Sequence, residues 1–139
     1  MSKKLNMKNL LLVLILLAGI ANTNAQKTKF IHITFKYKFA HDPQGKEINT
    51  RLKVYVDDVV TGVSLAKMET EANTVTIEIP TGNHKLKAII ETQFEGVWEE
   101  HTLANEYTID CIYNNEMDFT KNARIELVFD LEVGTIVIN

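Results

Sequence analysis

The stretch of this sequence richest in reactive side chains is Val97-Trp98-Glu99-Glu100-His101-Thr102. On a β-strand alternate side chains share a face, so Glu99 and His101 stand together, near enough to share a divalent metal or to act as an acid/base pair. Two ligands do not make a metal centre. Catalytic zinc takes three protein ligands, and His32, His41 and His84 have no partner at metal-ligand spacing. The competing reading is an exposed edge strand whose charges discourage pairing with another sheet. Trp98 lies on the opposite face with Glu100 and Thr102. It is either a stacking platform for a sugar ring or the largest residue of the core, and a core position is expected because a small domain usually packs its only Trp.

Other chemistries have less to build on. Beyond the first 25 residues Ser64 is the only serine, and it lacks a nucleophile-elbow context. There is no Gly-rich phosphate loop and no calcium loop; Asp57-Asp58 reads as a hairpin turn. The single cysteine, Cys111, excludes an intramolecular disulfide. It shares parity with Tyr107, Ile109 and Tyr113 and reads as a small buried hydrophobe. No catalytic residue, metal site or cofactor is therefore assigned.

The elements that would position these side chains are strands. Phe30 to Phe39 alternates Ile31, Ile33, Phe35, Tyr37 and Phe39 with His32, Thr34, Lys36 and Lys38. After a polar loop from Ala40 to Asn49, Thr50 to Asp57 points Leu52, Val54 and Val56 inward, and Asp57-Asp58 turns into a short return around Val59 and Val60. Ser64 to Asn73 reads equally as a strand or as a loop with one helical turn. Thr74 to Ile90 holds two alternating runs around Pro80-Thr81-Gly82-Asn83, all turn formers, and predicts a central hairpin. Glu95-Gly96 turns the chain into Val97 to Leu103, and Ala104-Asn105-Glu106 turns it into a strand from Tyr107 to Tyr113. Asn114 to Asn122 reads as a polar loop with Met117 and Phe119 tucked beneath. The last long strand, Ala123 to Val133, points Ile125, Leu127, Phe129, Leu131 and Val133 inward, with a break at Gly134. About seven to eight short antiparallel strands with regular turns predict an all-β sandwich, with an open barrel as the second choice.

The first residues read as an address. Lys3, Lys4 and Lys8 precede an apolar run from Leu10 to Ala21, and Thr23-Asn24-Ala25 ends it with a small residue. These are the three parts of a secretory signal peptide, a helix at 1–25 cleaved after Ala25; the run is short of the roughly 20 apolar residues of a spanning helix. No cysteine follows, so a lipid anchor at the cleavage point is not expected. Residues 26–139, the remaining 114 of 139, are of a size for one domain, able to bury roughly two thirds of its unfolded surface.

With Lys3, Lys4 and Lys8 removed, 12 basic residues face 18 acidic ones, a net charge of −6. Gln26 to Lys53 carries seven basic against two acidic residues, and Val54 onward five against sixteen. Either basic early strands pair with acidic later ones across a sheet, or the surface is dipolar and docks an acidic partner or further copies. Overall acidity argues against nucleic acid.

Leu52-Lys53-Val54-Tyr55-Val56-Asp57-Asp58, Thr61-Gly62-Val63-Ser64, Val75 to Ile79, Pro80-Thr81-Gly82-Asn83-His84-Lys85-Leu86-Lys87 and Gly96 together resemble PEGA-type domains over residues 50–100. Asp58 replaces the turn glycine, no proline follows Ser64, and the Pro-Glu-Gly-Ala signature is absent. The resemblance implies an immunoglobulin-like extracytoplasmic module of the bacterial envelope, non-catalytic, and brings no ligand residues. The sequence thus points to a secreted or periplasmic sandwich without a membrane span, acting through a protein partner or self-association. A carbohydrate-binding module using Trp98 is the alternative, and a metal-dependent hydrolase using Glu99 and His101 a third.

Overall fold

The computed structural model describes residues 27–41 and 47–138; the signal peptide expected at 1–25 and most of the loop after β1 lie outside them. Two β-sheets face one another. The first contains Phe30–Ala40 (β1), Asn73–Pro80 (β5), Ala123–Asp130 (β9) and Gly134–Ile138 (β10), in the order β10-β9-β1-β5. The second contains Asn49–Val56 (β2), Val59–Val63 (β3), Lys67–Met68 (β4), Gly82–Phe94 (β6), Val97–Glu100 (β7) and Ile112–Phe119 (β8). There β3, β2, β6 and β7 follow in order, with β4 on β2 and β8 on β6. Pairing is antiparallel except for β1 and β9, which run parallel and are separated in the chain by the entire second sheet. The fold is the expected all-β sandwich.

Alternation places the core. Ile31, Ile33, Phe35 and Tyr37 of β1 meet Leu52 and Val54 of β2 and Leu86, Ala88 and Ile90 of β6, all buried. An aromatic edge contact joins the layers, Phe35 meeting Tyr113 at 5.9 Å, while Phe39 and Tyr37 each approach Phe129 within the first sheet.

The central hairpin does not form. β5 pairs with β1 in the first sheet, whereas β6 pairs with β2, β7 and β8 in the second. Thr81 still donates its N–H to Lys29 in the first layer, and Gly82, at φ +133°, already lies opposite Phe119 in the second. Glycine alone adopts that backbone readily, so the chain changes layers within one residue. Alternation fixed which side chains face inward, but Ile79 and Leu86 face inward equally well from opposite layers.

The corner is clamped by His84. Its Nδ1 lies 2.7 Å from the Asp57 carboxylate and its Nε2 2.8 Å from the Pro80 carbonyl. Asp57 also accepts the Lys85 N–H, tying the β2–β3 turn to the layer change. Two acceptors suit an imidazolium, which donates from both nitrogens.

Three more expectations are corrected. The strand expected from Tyr107 to Tyr113 begins only at Ile112 and runs through Phe119, so the expected polar loop from Asn114 is largely an edge strand of β6; Phe119 is buried and Met117 exposed. Between Ser64 and the start of β5 at Asn73 the chain forms only the two-residue strand β4. The last long strand stops at Asp130, whose Oδ1 accepts the N–H groups of Glu132 and Val133, so Leu131 is only partly buried and Val133 is 73% exposed. Gly134, at φ +109°, then returns the chain along β9, which fits the break expected there.

Beside the core a buried polar knot joins both sheets. Tyr37 and Thr50 share a hydroxyl hydrogen bond of 3.0 Å, and Asn73 donates to Tyr37 Oη, Ser64 Oγ and the Leu65 carbonyl. Tyr37→Phe leaves the buried Thr50 hydroxyl without its partner, while Asn73 keeps Ser64 Oγ and the Leu65 carbonyl, and this should cost about 1–3 kcal/mol in urea unfolding. The Asp57 carboxylate beside His84 raises its pKa above the ordinary 6.5, so its contribution is full below pH 6.5 and is lost as pH rises through the higher folded value. His84→Gln should therefore destabilise the chain most at pH 5–6 and progressively less in alkali, read as unfolding midpoint against pH.

Candidate functional site

The two-residue turn Glu95-Gly96, with φ of 49° and 80°, is the positive-φ pair that closes a tight hairpin between β6 and β7. It sets Gln93 opposite Trp98 and Thr92 opposite Glu99. Because Ala88, Ile90 and Thr92 face the core, Trp98 faces outward. The core position expected for Trp98 is therefore corrected. It is partly buried on the outer face of the second sheet, with the Arg51 guanidinium 4.3 Å above its ring. The register fixed by the turn was the signal that could have placed it.

Around Trp98 that face is aromatic and cationic. Tyr55 lies between the Lys53 and Lys87 ammonium groups, 5.7 and 5.3 Å from its ring centre. Glu91, buried, pairs with both Arg51 and Lys53, and its charge lifts the Lys53 pKa. These are early basic residues beside a later acidic one, the cross-strand pairing that the charge distribution suggested. Ile89 is fully buried on this outer side, between Lys53 and Ile112 in register. Val60 and Val63 of β3 extend the face, opposite Tyr55 and Lys53.

Glu99 and His101 do share a side, as the strand parity required, but they serve a loop. His101 donates its N–H to Ile90 and accepts that of Cys111 on its carbonyl, closing the excursion between them at its base. Its ring stacks on Tyr107 at 4.0 Å, and Nδ1 is 2.9 Å from Thr92 Oγ1. Tyr107 donates its hydroxyl to Glu99 at 2.6 Å. Inside the loop Asp110 accepts the Leu103 N–H, and Asn105 donates to the Glu100 carbonyl. The loop is thus held by its own side chains.

This cluster is built for packing. His101 is 95% buried, being 5% exposed, and burial lowers its pKa to about 4 even with Glu99 nearby. Its Nε2 is buried without a hydrogen-bond partner. Burial also raises the Tyr107 hydroxyl and the Cys111 thiol well above their usual ranges, which disfavours the thiolate. Cys111 and Tyr113 are buried and Ile109 partly so, as their parity predicted.

The remaining histidines are dispersed. His32 donates its N–H to Asn122, His41 pairs with Asp130 at 2.9 Å and His84 clamps the corner. Among the described residues no three His, Cys, Asp or Glu side chains gather in a way that could hold a metal ion. Nor is any helix there long and apolar enough to cross a membrane. An open cleft of about 460 Å³ lies at the start of β1, lined by Lys29, Phe30, His32 and Lys121 among others, away from both clusters. No family model matches the chain, and no curated protein matches it.

The unfolded chain protonates histidine near pH 6.5 and the folded chain protonates His101 near 4, so stability held above pH 6.5 is lost as pH falls from 6.5 towards 4. The loss should reach about 3 kcal/mol, at about 1.4 kcal/mol per pKa unit. His101→Phe should remove that part of the pH dependence in urea titrations at pH 7, 5.5 and 4.

Proposed function

We propose that this chain is an exported, non-enzymatic β-sandwich that acts through contact with a protein partner, using the outer face of its second sheet. One observation carries the reading. The groups with chemical reactivity are spent on internal packing, while an aromatic and cationic surface is turned outward. Trp, Tyr and Arg are the side chains that anchor protein interfaces, because they offer large, stiff contact area with a polar handle. The buried Glu91 holds Arg51 and Lys53 in place, so fewer side-chain rotamers need freezing on binding. The charged start, short apolar run and small-residue exit of the sequence support export to the periplasm or exterior. The PEGA-type resemblance supports a contact role at the bacterial envelope.

A carbohydrate-binding role is the second reading, favoured by Trp98 facing outward. The guanidinium over its ring weighs against it, since a stacked sugar would have to displace Arg51 from one face. Immobilised protein should retain a partner from envelope extract, and Trp98→Ala with Tyr55→Ala should reduce retention at least tenfold, whereas His101→Phe should leave it unchanged. Retention indifferent to Trp98 and Tyr55, or a hydrolytic activity lost in His101→Phe, would contradict the reading. Glycan-array binding lost in Trp98→Ala would favour the second.

A further inference from the structure

We infer that β10 is a self-pairing edge through which two copies of this chain join their first sheets into one antiparallel sheet. The inference uses an edge of the first sheet, not the outer face of the second that carries Trp98, and does not rest on that face. Among the described residues no strand but β9 pairs with β10, and Thr135 donates its side-chain hydroxyl to the Asp110 carbonyl of the second layer, so the backbone of the other edge of β10 is left unpaired. Its side chains are apolar on both faces: Ile136, Val137 and Ile138 are 43%, 42% and 46% exposed. On the outer side the nearly buried Val128 lies opposite Ile136 and extends the apolar surface inward.

The other edges carry protection that β10 lacks. β8 presents Asn114, Asn115, Glu116 and Asp118, and β7 is four residues long with two glutamates. β5 holds Glu78 and ends in Pro80, and Gly62 of β3 packs across the sandwich on its Ile77 and Val75 side chains. β3 is itself apolar, but its register against β2 shifts at Val54/Tyr55, an irregularity that spoils a continuous edge. Gly134–Ile138 has no charge, proline or shift in register.

A second copy suits this edge because the segment is complementary to itself. Antiparallel pairing about a dyad through Ile136 sets Ile136 against Ile136 of the second copy, and Thr135 against Val137. With no charged side chain between Gly134 and Ile138, no like charges meet along the seam. The interface is isologous, so it closes at two copies rather than growing.

Sedimentation of the purified chain across a concentration series up to about 1 mM should show twice the chain mass at the upper end. Ile136→Lys places like charges at the dyad and should weaken the dimer about tenfold or more, with a cooperative melt retained because the side chain is already half in water. Cross-linking checks the register independently of any folding defect. Directly opposed residues have Cα atoms about 4.5–5.5 Å apart, within disulfide reach, so Ile136→Cys should link two copies on oxidation. Ile138→Cys should not, because it would lie about 13 Å from its mate. A single-chain mass at every concentration, a dimer indifferent to Ile136→Lys, or linkage through Val63→Cys on β3 in place of Ile136→Cys would overturn the inference. Trp98→Ala should leave the dimer intact, so failure here is separable from failure of partner retention.

Discussion

The arrangement depends on one constraint: the inward faces of β1 and β6 must be covered at once, and each can be covered only by the sheet built around the other. β1 supplies Ile31, Ile33, Phe35 and Tyr37, and β6 supplies Leu86, Ala88 and Ile90, all buried in a common cluster. The chain meets this demand by crossing between layers, most abruptly at Gly82. A hairpin at that point would leave β5 and β6 in the same layer, and the inward face of β1 without the cover that β6 supplies. The His84 clamp and the Tyr37, Thr50 and Asn73 knot sit where β2 and its neighbours join the other layer, so their polar bonds hold a geometry that apolar burial alone leaves loose.

Much of this was legible in the residues, for identifiable reasons. Alternation in β1, β2 and β6 named the inward side chains correctly because one side of each strand is wet. Alternation says nothing of which sheet a strand joins, so the run through Pro80 and Gly82 suggested a hairpin where the chain changes layers. Polar β8 was misread as a loop because an edge strand pairs through its backbone and needs no apolar face. Val133 shared the parity of Phe129 but fell beyond the turn that Asp130 closes.

The same logic governs the candidate sites. Glu99 and His101 were correctly placed on one side, yet no local pattern reveals that Tyr107, several residues later, folds back to stack on one and bond the other. Trp98 was assigned to the core by habit of composition, and the positive-φ pair at Glu95-Gly96 overrides habit by fixing the register. Glu99 and His101 thus pack within a loop, while Trp98, expected in the core, joins Arg51, Lys53, Tyr55 and Lys87 on the outward aromatic and cationic face. A buried neutral histidine and an exposed tryptophan under a guanidinium are both consequences of where the strands turn.

The layer change at Gly82 is the feature on which the whole account rests, and backbone contacts measured by NMR report on it directly. Cross-strand contacts are expected from Glu78 to His32 of β1 and from Lys85 to Glu116 of β8, with a hydrogen-bond coupling from the Thr81 amide to the Lys29 carbonyl. Cross-strand contacts linking Glu78 to Lys85, the pairing of a hairpin about Pro80 to Asn83, would contradict it.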